Sequence, residues 1–454
     1  MNKTIGKREI KRVIFYTNSP RAFRTTLIGN LYETCQAYPT VLLSEKLDSE
    51  TEIILQNKEL FPKLENIVAV RQFTGEKKNL FSKNRCLFKL AKNIIQEHKP
   101  DIVISSSDTH SLFELYLTRF AKKAKALNIS IQDTLVATES TQIARYIDLI
   151  NVHLRFPNFL PLFIRLFLVK CRKYFGHFLY YWILPLIVGE MPFFGKSSYI
   201  LRKGNSGMRD ADYQIALSKR DYDILLKDGV PAEKLKILSH PLSRETKEFF
   251  EKVYFNQFKN QVKEKKVITL LLPEVELVFK RKDWSLISRK EIEKKWMETI
   301  SLIKEILPDW DILIKPHPDF KNLPEIKKKL ESISKNIKVT NPGEPVDKYI
   351  ELADVVVGLP LSSSTALFTA SLQCPEKPII SLDFHQEILG DVYKSFEGVE
   401  YVDNKKRFLD ILKMVRENKY RKKQMINKTK PGLKEFSDTV EIIKYLFDKK
   451  NENI

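Results

Sequence analysis

Short apolar runs alternate with segments of helical spacing along most of the chain. In the first half, the polar and apolar spacing predicts helices that begin near Thr25, Leu87 and Leu112. The apolar runs between and after them predict strands, which are Arg12–Thr17, Asn66–Val70, Asp101–Ser105, Ile129–Gln132, Ala211–Ser218 and Leu235–Leu238. This alternation is typical of a parallel sheet with helices on both faces. Residues 1–245 are therefore predicted to form an α/β domain.

The same alternation starts again after a charged connector over 246–265. It predicts a second α/β domain over 266–434, with one helix over Glu291–Ile306 and another that starts at Ala366. The predicted strands of this domain are Val267–Leu272, Ile312–Ile314, Val355–Val357 and Pro378–Leu382. The tail, 435–454, places apolar residues at helical spacing, so we expect an amphipathic helix that packs back on the N-terminal domain.

The pattern breaks over residues 151–200. This segment holds 13 of the chain's 49 aromatic residues, six Lys or Arg, and a single acid, Glu190. Its longest run without charge, Tyr174–Gly189, is shorter than the about 20 residues that span a bilayer. Basic residues beside aromatic ones are typical of helices that lie in a lipid interface. We therefore expect a helical insertion that contacts the membrane. Packing on its own domain or on a dimer partner, and a true or re-entrant membrane span, are the alternatives.

Charge and cysteine content narrow the class of protein. The formal net charge is +20, from 77 basic and 57 acidic residues, which favours an anionic partner such as a phosphorylated small molecule or a membrane surface. The four cysteines lie far apart, so neither a zinc site nor a disulfide framework is predicted. No apolar signal segment precedes the first strand. We expect a cytoplasmic protein, peripheral on the inner face of the cell membrane.

Two strand ends in the second half present groups that suit a phosphate. The strand Ile312–Ile314 leads into Lys315-Pro316-His317-Pro318, where the two prolines restrict the backbone around the imidazole. The strand Val355–Val357 leads into a loop with four hydroxyl side chains, Ser362, Ser363, Ser364 and Thr365, directly before a helix. Ligands of open α/β sheets bind beyond the carboxyl ends of the strands, and a helix N-terminus there favours anions. A structural histidine and ordinary helix capping are the alternatives.

Other nucleotide sites are not supported. The chain has no GxxxxGK[ST] sequence of a P-loop, and no GxGxxG follows the first strand. Asp210 and Asp212 have the spacing of a metal-ligand pair, but they precede a predicted strand directly and fit a turn. We therefore expect no metal, and no cofactor besides a nucleotide-sugar substrate.

Taken together, several segments of the second half resemble one enzyme superfamily. Ala353–Val357, the serine loop, Thr365–Ala370 and Lys377–Ser381 look like the nucleotide-binding half of GT-B glycosyltransferases. Lys315–Pro318 resembles the His-Pro motif of bacterial capsule-polysaccharide, sialyl- and polyol-phosphate transferases of that fold. The first half is similar in its strand–helix alternation and over Ala211–Ser218 and Gly229–Pro241. The resemblance implies two Rossmann-like domains.

The resemblance also implies roles for individual residues. His317 and Ser362–Thr365 would hold the phosphates of the donor, with Lys315 approaching the same diphosphate or pointing away, and His240 touching the donor from the interdomain edge. The catalytic base would come from the N-terminal domain, and Asp108, which follows the strand Asp101–Ser105, is our candidate. His110, Asp133 and Glu139 lie in similar positions and stay open as alternatives.

We therefore expect a metal-independent glycosyltransferase, with inversion as the expected outcome, that moves a sugar to a surface glycan or lipid-linked acceptor. A nucleotide-sugar 2-epimerase of the same fold is the alternative reaction and would need paired acids. Epimerases often have glycine and an acid in the loop that here reads Gly358-Leu359-Pro360-Leu361, and this difference favours transfer. A non-catalytic membrane-associated scaffold is the alternative from another class. Nucleic acid is not an expected partner, because no recognition element interleaves basic and aromatic residues outside 151–200.

Overall fold

In the computed structural model the chain forms two compact units. One comprises Met1–Thr246 with Thr429–Ile454, and the other comprises Lys247–Lys428. The structure describes residues 9–18, 23–45, 47, 49–74, 79–106, 111–132, 164, 167–168, 171, 179–190, 210–227, 229–244, 246–255, 265–273, 278–280, 282, 286–318, 320, 323–344, 346–359, 365–387, 393–394, 396, 398–420 and 434–452.

The N-terminal unit alternates strands and helices over its first 246 residues. Its strands are β1 (Val13–Thr17), β2 (Thr40–Ser44), β3 (Leu64–Ala69), β4 (Ile102–Ser105), β5 (Leu127–Ile131), β6 (Tyr213–Ala216) and β7 (Leu235–Leu238). Its helices are α1 (Ile28–Ala37), α2 (Ser49–Leu55), α3 (Arg71–Thr74), α4 (Leu80–His98), α5 (Leu112–Lys123), α6 (Leu184–Ile187) and α7 (Lys219–Lys227). π-helical turns precede α1 and α6, at Phe23–Leu27 and Leu179–Ile183.

The remaining elements follow from Thr246 onward. The strands are β8 (Val267–Leu272), β9 (Val278–Phe279), β10 (Leu286–Ile287), β11 (Asp311–Pro316), β12 (Ile337–Val339), β13 (Val355–Gly358), β14 (Ile379–Leu382), β15 (Glu400–Val402) and β16 (Glu435–Phe436). The helices are α8 (Thr246–Phe250), α9 (Arg289–Ile306), α10 (Leu323–Glu331), α11 (Val346–Leu352), α12 (Thr365–Gln373), α13 (Lys405–Arg416) and α14 (Thr439–Glu452). α8 lies within the segment predicted as a connector.

A parallel sheet of eight strands organises the N-terminal unit, in the order β16-β7-β6-β5-β4-β1-β2-β3. β1, β2, β4 and β5 are buried over their whole length. Continuous apolar strands are what a parallel sheet needs when helices cover both of its faces. Local sequence sets the helix ends: the Asn79 side chain accepts from the Ser82 N–H at 2.9 Å to begin α4, and Lys99, with φ of 42°, ends it before Pro100.

A second parallel sheet, of six strands in the order β12-β11-β8-β13-β14-β15, organises the C-terminal unit. Its central strand, β8, is entirely buried. Apolar side chains of α9 and α13, among them Trp296, Ile300 and Phe408, pack against the sheet in one core cluster. The structure thus confirms the predicted α/β class with two Rossmann-like sheets.

The C-terminal segment belongs to the N-terminal unit. Glu435 and Phe436 pair in parallel with Ile237 and Leu238 at the sheet edge, and α14 packs on α1. The predicted helix therefore starts later than expected, at Thr439, because the two residues of β16 extend the sheet first.

A buried polar cluster joins the start of α14 to α1 by hydrogen bonds. The Arg244 guanidinium lies 2.5 Å from a Glu33 carboxylate oxygen and donates to the Asn30 side chain at 2.6 Å. The Thr439 N–H donates to the same Glu33 oxygen at 2.8 Å, and its hydroxyl donates to Asn30 at 3.0 Å. At the other end of α14, Lys450 donates to Asp212 at 2.8 Å. These contacts join segments that are about 200 or more residues apart in the sequence.

Candidate functional site

The strand order of the C-terminal unit places a switch point between β8 and β13. From β8 the chain adds β11 and β12 on one side of the sheet, and then β13, β14 and β15 on the other side. Connections that leave the sheet in opposite directions open a crevice at the carboxyl ends of the two strands where the order reverses, and ligands bind there. The predicted serine loop follows one of these strands, β13.

The end of β13 is held firmly against β8. The Leu359 N–H donates to the Leu271 carbonyl at 3.0 Å, and the Leu359 side chain is fully buried. Ser362, Ser363 and Ser364 lie outside the described residues, whereas Thr365 begins α12, a helix of nine residues. The chain thus leads from the switch point at Leu359 to the N-terminus of α12, whose first N–H groups have no intrahelical acceptor. Those groups are suited to an anion.

His317 lies on the other side of β8. Pro316 is paired with Leu272 at the end of β11, and the His317 N–H donates to the Leu272 carbonyl at 2.9 Å. The His317 carbonyl accepts from the Phe320 N–H at 2.9 Å, which closes a turn, and the residue is half-buried. Since β11 and β13 flank the same strand, the backbones that lead to His317 and to the serine loop run about 10 Å apart. The sequence prediction that both belong to one sheet edge agrees with this strand order.

Lys315 points into the protein. Its residue is 3% exposed, and its ammonium donates to the carbonyls of Pro316 at 2.7 Å and Pro342 at 2.9 Å. Burial lowers the pKa of Lys315 to about 8, and the nearby Glu344 carboxylate opposes that shift. Lys315 therefore links the turn that contains His317 to the segment after β12 through these two hydrogen bonds. This geometry favours the sequence-based alternative in which Lys315 points away from the donor, and contact with a donor stays a prediction.

His240 is also buried, with 3% exposure. Its Nδ1 accepts from the Leu242 N–H at 3.2 Å and caps a short 3₁₀ helix, Pro241–Ser243. Burial lowers the pKa of His240 to about 3, and the positive charge of Arg244 adds to the effect. His240 is therefore a neutral, structural capping residue, and its predicted contact with a donor stays a prediction.

The N-terminal sheet has its own switch point, between β1 and β4. Asp108 and His110, which follow β4, lie outside the described residues, as do Asp133 and Glu139. The predicted catalytic base is thus untested. Asp210 and Asp212, the other acids of interest, are both in ion pairs, with Lys122 at 3.5 Å and with Lys450 at 2.8 Å.

Described residues at this edge include acids that the sequence analysis did not single out. The Tyr16 hydroxyl donates to Glu45 at 3.2 Å and lies 3.0 Å from the Ser111 hydroxyl. Glu114 is fully buried, and its carboxylate accepts from Ser106 at 3.5 Å. Burial raises the pKa of Tyr16 well above its usual value, and the charges of Glu114 and Glu45 add to the rise. Tyr16 therefore stays protonated and can donate. The Ser-x-x-Glu spacing of Ser111 and Glu114, a helix N-terminus pattern, could have identified Glu114.

One more carboxylate was missed, at the end of β14. Asp383 is fully buried and accepts from the Tyr401 hydroxyl at 2.7 Å and from the Glu387 N–H at 3.0 Å. Its two bonds hold the turn that follows β14, next to the end of β13. Asp383 thus shapes the carboxyl edge of the C-terminal sheet.

Several side chains of residues 179–190, within the 151–200 segment, pack on protein, whereas Phe167 is 64% exposed. Leu184 is fully buried in the core cluster that contains residues of α4 and α5, and its carbonyl accepts from the Asn84 side chain at 2.7 Å. Trp182 and Ile187 pack against the same cluster, and Glu190 forms an ion pair with Lys123 at 2.7 Å. Among the described residues, no helix combines the length and apolar character needed to cross a bilayer. Packing on its own domain, one of the predicted alternatives, is therefore correct for residues 179–190.

Comparisons with known proteins identify the fold. Neither a protein-family model nor a curated protein matches this chain. The UDP-GlcNAc 2-epimerase from Neisseria meningitidis, solved bound to UDP-GlcNAc, is similar with a TM-score of 0.57 at 13% identity, over 96% of this chain and 100% of that chain. The UDP-GlcNAc 2-epimerase from Methanocaldococcus jannaschii is similar with a TM-score of 0.54 at 12% identity, over 96% and 99%. These likenesses show the GT-B fold.

Proposed function

We propose that this chain is an enzyme that binds a nucleotide-activated sugar through its C-terminal unit and acts on that sugar. One observation supports the proposal above all: the order of β12-β11-β8-β13-β14-β15, which gives the serine loop and His317 neighbouring positions at one sheet edge. A helix N-terminus and an imidazole on either side of a strand end are suited to a diphosphate.

For the reaction, we favour 2-epimerisation of the nucleotide sugar over transfer. The similar solved structures are named as UDP-GlcNAc 2-epimerases, and the likeness extends over nearly all of both chains. Epimerisation at C2 breaks the C2–H bond and forms it again on the opposite face of the ring. The electron pair of that bond forms a C1–C2 double bond as the C1–O bond to the nucleotide breaks, and the nucleotide adds back to C1 when C2 is protonated again, so the reaction needs groups that take and return a proton. We propose Glu45, which accepts from the Tyr16 hydroxyl at the carboxyl edge of the N-terminal sheet, for one of these roles. Glu114 is fully buried, and its charge would act on the site through Tyr16.

Glycosyl transfer is the second candidate, and the sequence of one loop favours it. Gly358-Leu359-Pro360-Leu361 contains neither the glycine pair nor the following acid that epimerases of this fold often have. In transfer, an acceptor hydroxyl would attack C1 of the sugar while the bond from C1 to the phosphate oxygen breaks. Asp108 would take the hydroxyl proton, and the nucleotide would leave with both electrons of the broken bond. The acceptor would be a surface glycan or a lipid-linked sugar.

Incubation of the purified enzyme with UDP-GlcNAc in D₂O, followed by proton NMR, separates the two reactions. Epimerisation predicts a C2 epimer that contains deuterium at C2, with the nucleotide still attached. Transfer predicts an unchanged C2 configuration and release of nucleotide that depends on an added acceptor. If neither product forms with UDP-GlcNAc or with CMP-, CDP- and GDP-sugars, and none of them binds, the proposed function is wrong.

A further inference from the structure

A stripe of basic and apolar side chains runs along the exposed side of α4. Phe81, Arg85, Lys89 and Lys92 follow one another at helical spacing, and all four are exposed; Phe81 is 49% exposed. Glu97, in the last turn, is the only acid of α4. Among the described residues, no carboxylate forms an ion pair with Arg85, Lys89 or Lys92. The stripe is thus a row of unneutralised positive charges next to an aromatic ring.

The packing of α4 shows which neighbours share this surface. Phe88 makes edge-to-face contacts with Tyr116 and Phe120 of α5, with ring centroids 5.4 and 5.2 Å apart, so that side of α4 faces α5. On α4, Phe88 has Arg85 three residues before it and Lys92 four residues after it, and Phe81 lies four residues before Arg85. Residues at these spacings are neighbours on a helix surface, so the three side chains border the contact between α4 and α5.

Leu186 belongs to α6, which contacts α4. The carbonyl of Leu184 accepts from Asn84, which is three residues after Phe81, and the Leu184 side chain is fully buried. Leu186, two residues further along α6, is 54% exposed. Two helices in contact thus each carry a large exposed apolar side chain, and α4 adds three cations that form no ion pair with a described residue.

From these contacts we propose that the face made by Phe81, Arg85, Lys89, Lys92 and Leu186 docks on an anionic lipid surface. Apolar residues that enter the headgroup region, with cations that attract anionic lipids, are the combination by which surface helices bind membranes. α4 lies outside the segment for which the sequence predicted lipid contact, and the proposal is independent of the reaction.

The test is co-sedimentation of the full-length protein with vesicles of phosphatidylcholine alone and of phosphatidylcholine mixed with phosphatidylglycerol. We expect binding to the mixed vesicles that weakens as salt is raised, and little binding to phosphatidylcholine. Lys89→Gln with Lys92→Gln should weaken binding by about 30-fold, since each basic residue near an anionic surface contributes about fivefold in affinity. Phe81→Ser should weaken it several-fold at every salt concentration.

Matched substitutions on α13 of the C-terminal unit are the controls. Lys406→Gln with Lys413→Gln removes the same charge from exposed positions, and Met414→Ser removes an apolar side chain that is 40% exposed. These variants should bind mixed vesicles as the unchanged protein does. Equal losses in both sets would mean that net charge alone drives binding, and no binding to mixed vesicles would also overturn the proposal. A change in oligomeric mass caused by Phe81→Ser, measured by light scattering, would identify the face as a contact between copies instead.

Discussion

Removing Arg244 should release the C-terminal helix from the N-terminal unit. The Arg244 side chain is 5% exposed and pairs with Glu33, whose side chain is 10% exposed, and Arg244 also donates to Asn30. Arg244→Met keeps an apolar stem and removes the charge, so it leaves the Glu33 carboxylate buried with the Thr439 N–H as its remaining described donor. Breaking a buried ion pair in this way costs about 3–5 kcal/mol.

The cost should depend on pH. Burial raises the pKa of Glu33 above its usual value of 4.5, and the positive charge of Arg244 opposes that rise. Without Arg244 the folded-state pKa of Glu33 rises further. At pH values between 4.5 and this raised pKa, the folded protein therefore holds a proton on Glu33 that the unfolded chain has lost. Stability therefore falls as pH rises through this window, by up to about 1.4 kcal/mol per pH unit.

Thermal unfolding across this pH range is the assay, with hydrogen exchange of α14 as the local measurement. We expect the Tm of Arg244→Met to fall by about 6–15 °C near neutral pH, by less in mild acid, and the amides of α14 to exchange faster. Adding Glu33→Gln should remove the extra pH dependence. Arg12→Met, in an exposed pair with Glu65, is the control and should cost less than about 1 kcal/mol. A loss no larger than that of Arg12→Met, or one independent of pH, would refute the reasoning.

Three further predictions concern buried polar groups. Asn84→Ala should lower the free energy of unfolding by about 1–3 kcal/mol, because the Tyr116 hydroxyl and the Leu184 carbonyl lose their hydrogen-bond partner. The backbone amides of residues 184–190 should then exchange faster, and unchanged exchange rates there would contradict the prediction. Lys315→Met should weaken nucleotide binding. Because burial lowers the pKa of Lys315 to about 8, the free energy of unfolding of the unchanged protein should rise relative to that of this variant between pH 8 and 10.5. A difference in unfolding free energy that stays constant over this pH range, measured with denaturant, would refute this. His240 should stay neutral with its proton on Nε2 until pH nears 3, its lowered pKa, as nitrogen NMR can show; titration near pH 6.5 would mean that the ring is solvated.

Most strands of both sheets could be predicted because burial on two faces requires continuous apolar runs. Val13–Thr17 and Val267–Leu272 are such runs, and the structure has both as buried strands. β2, β12 and β15 were missed. β16 could not be predicted, since its two residues, Glu435 and Phe436, form a strand only through pairing with β7. Local sequence there favours a continuous helix, and the sheet edge determines the outcome.

The positions of candidate site residues along the sheet edge could be predicted from the order of strands, whereas the burial of their side chains could not. His317 and the serine loop follow strands that the sequence identifies, and the sheet order makes them neighbours at the switch point. The sequence could not show that Lys315 is buried, because its ammonium donates to the Pro342 carbonyl, which lies 27 residues away in the sequence. The burial of His240 likewise comes from tertiary packing, although its capping bond to the Leu242 N–H is local. The polar cluster of Glu33 and Arg244 joins residues 211 positions apart, beyond any local pattern.

The central claim is that the C-terminal unit binds a nucleotide beside His317, and titration calorimetry with UDP, CMP, CDP and GDP tests it most directly. We predict that one of these nucleotides binds, and that His317→Ala weakens its binding by roughly 10- to 100-fold through the loss of one hydrogen bond to a charged group. His98→Ala, at the end of α4 in the N-terminal unit, should bind as the unchanged protein does. No binding by any of the nucleotides, or equal binding by His317→Ala, would contradict the claim.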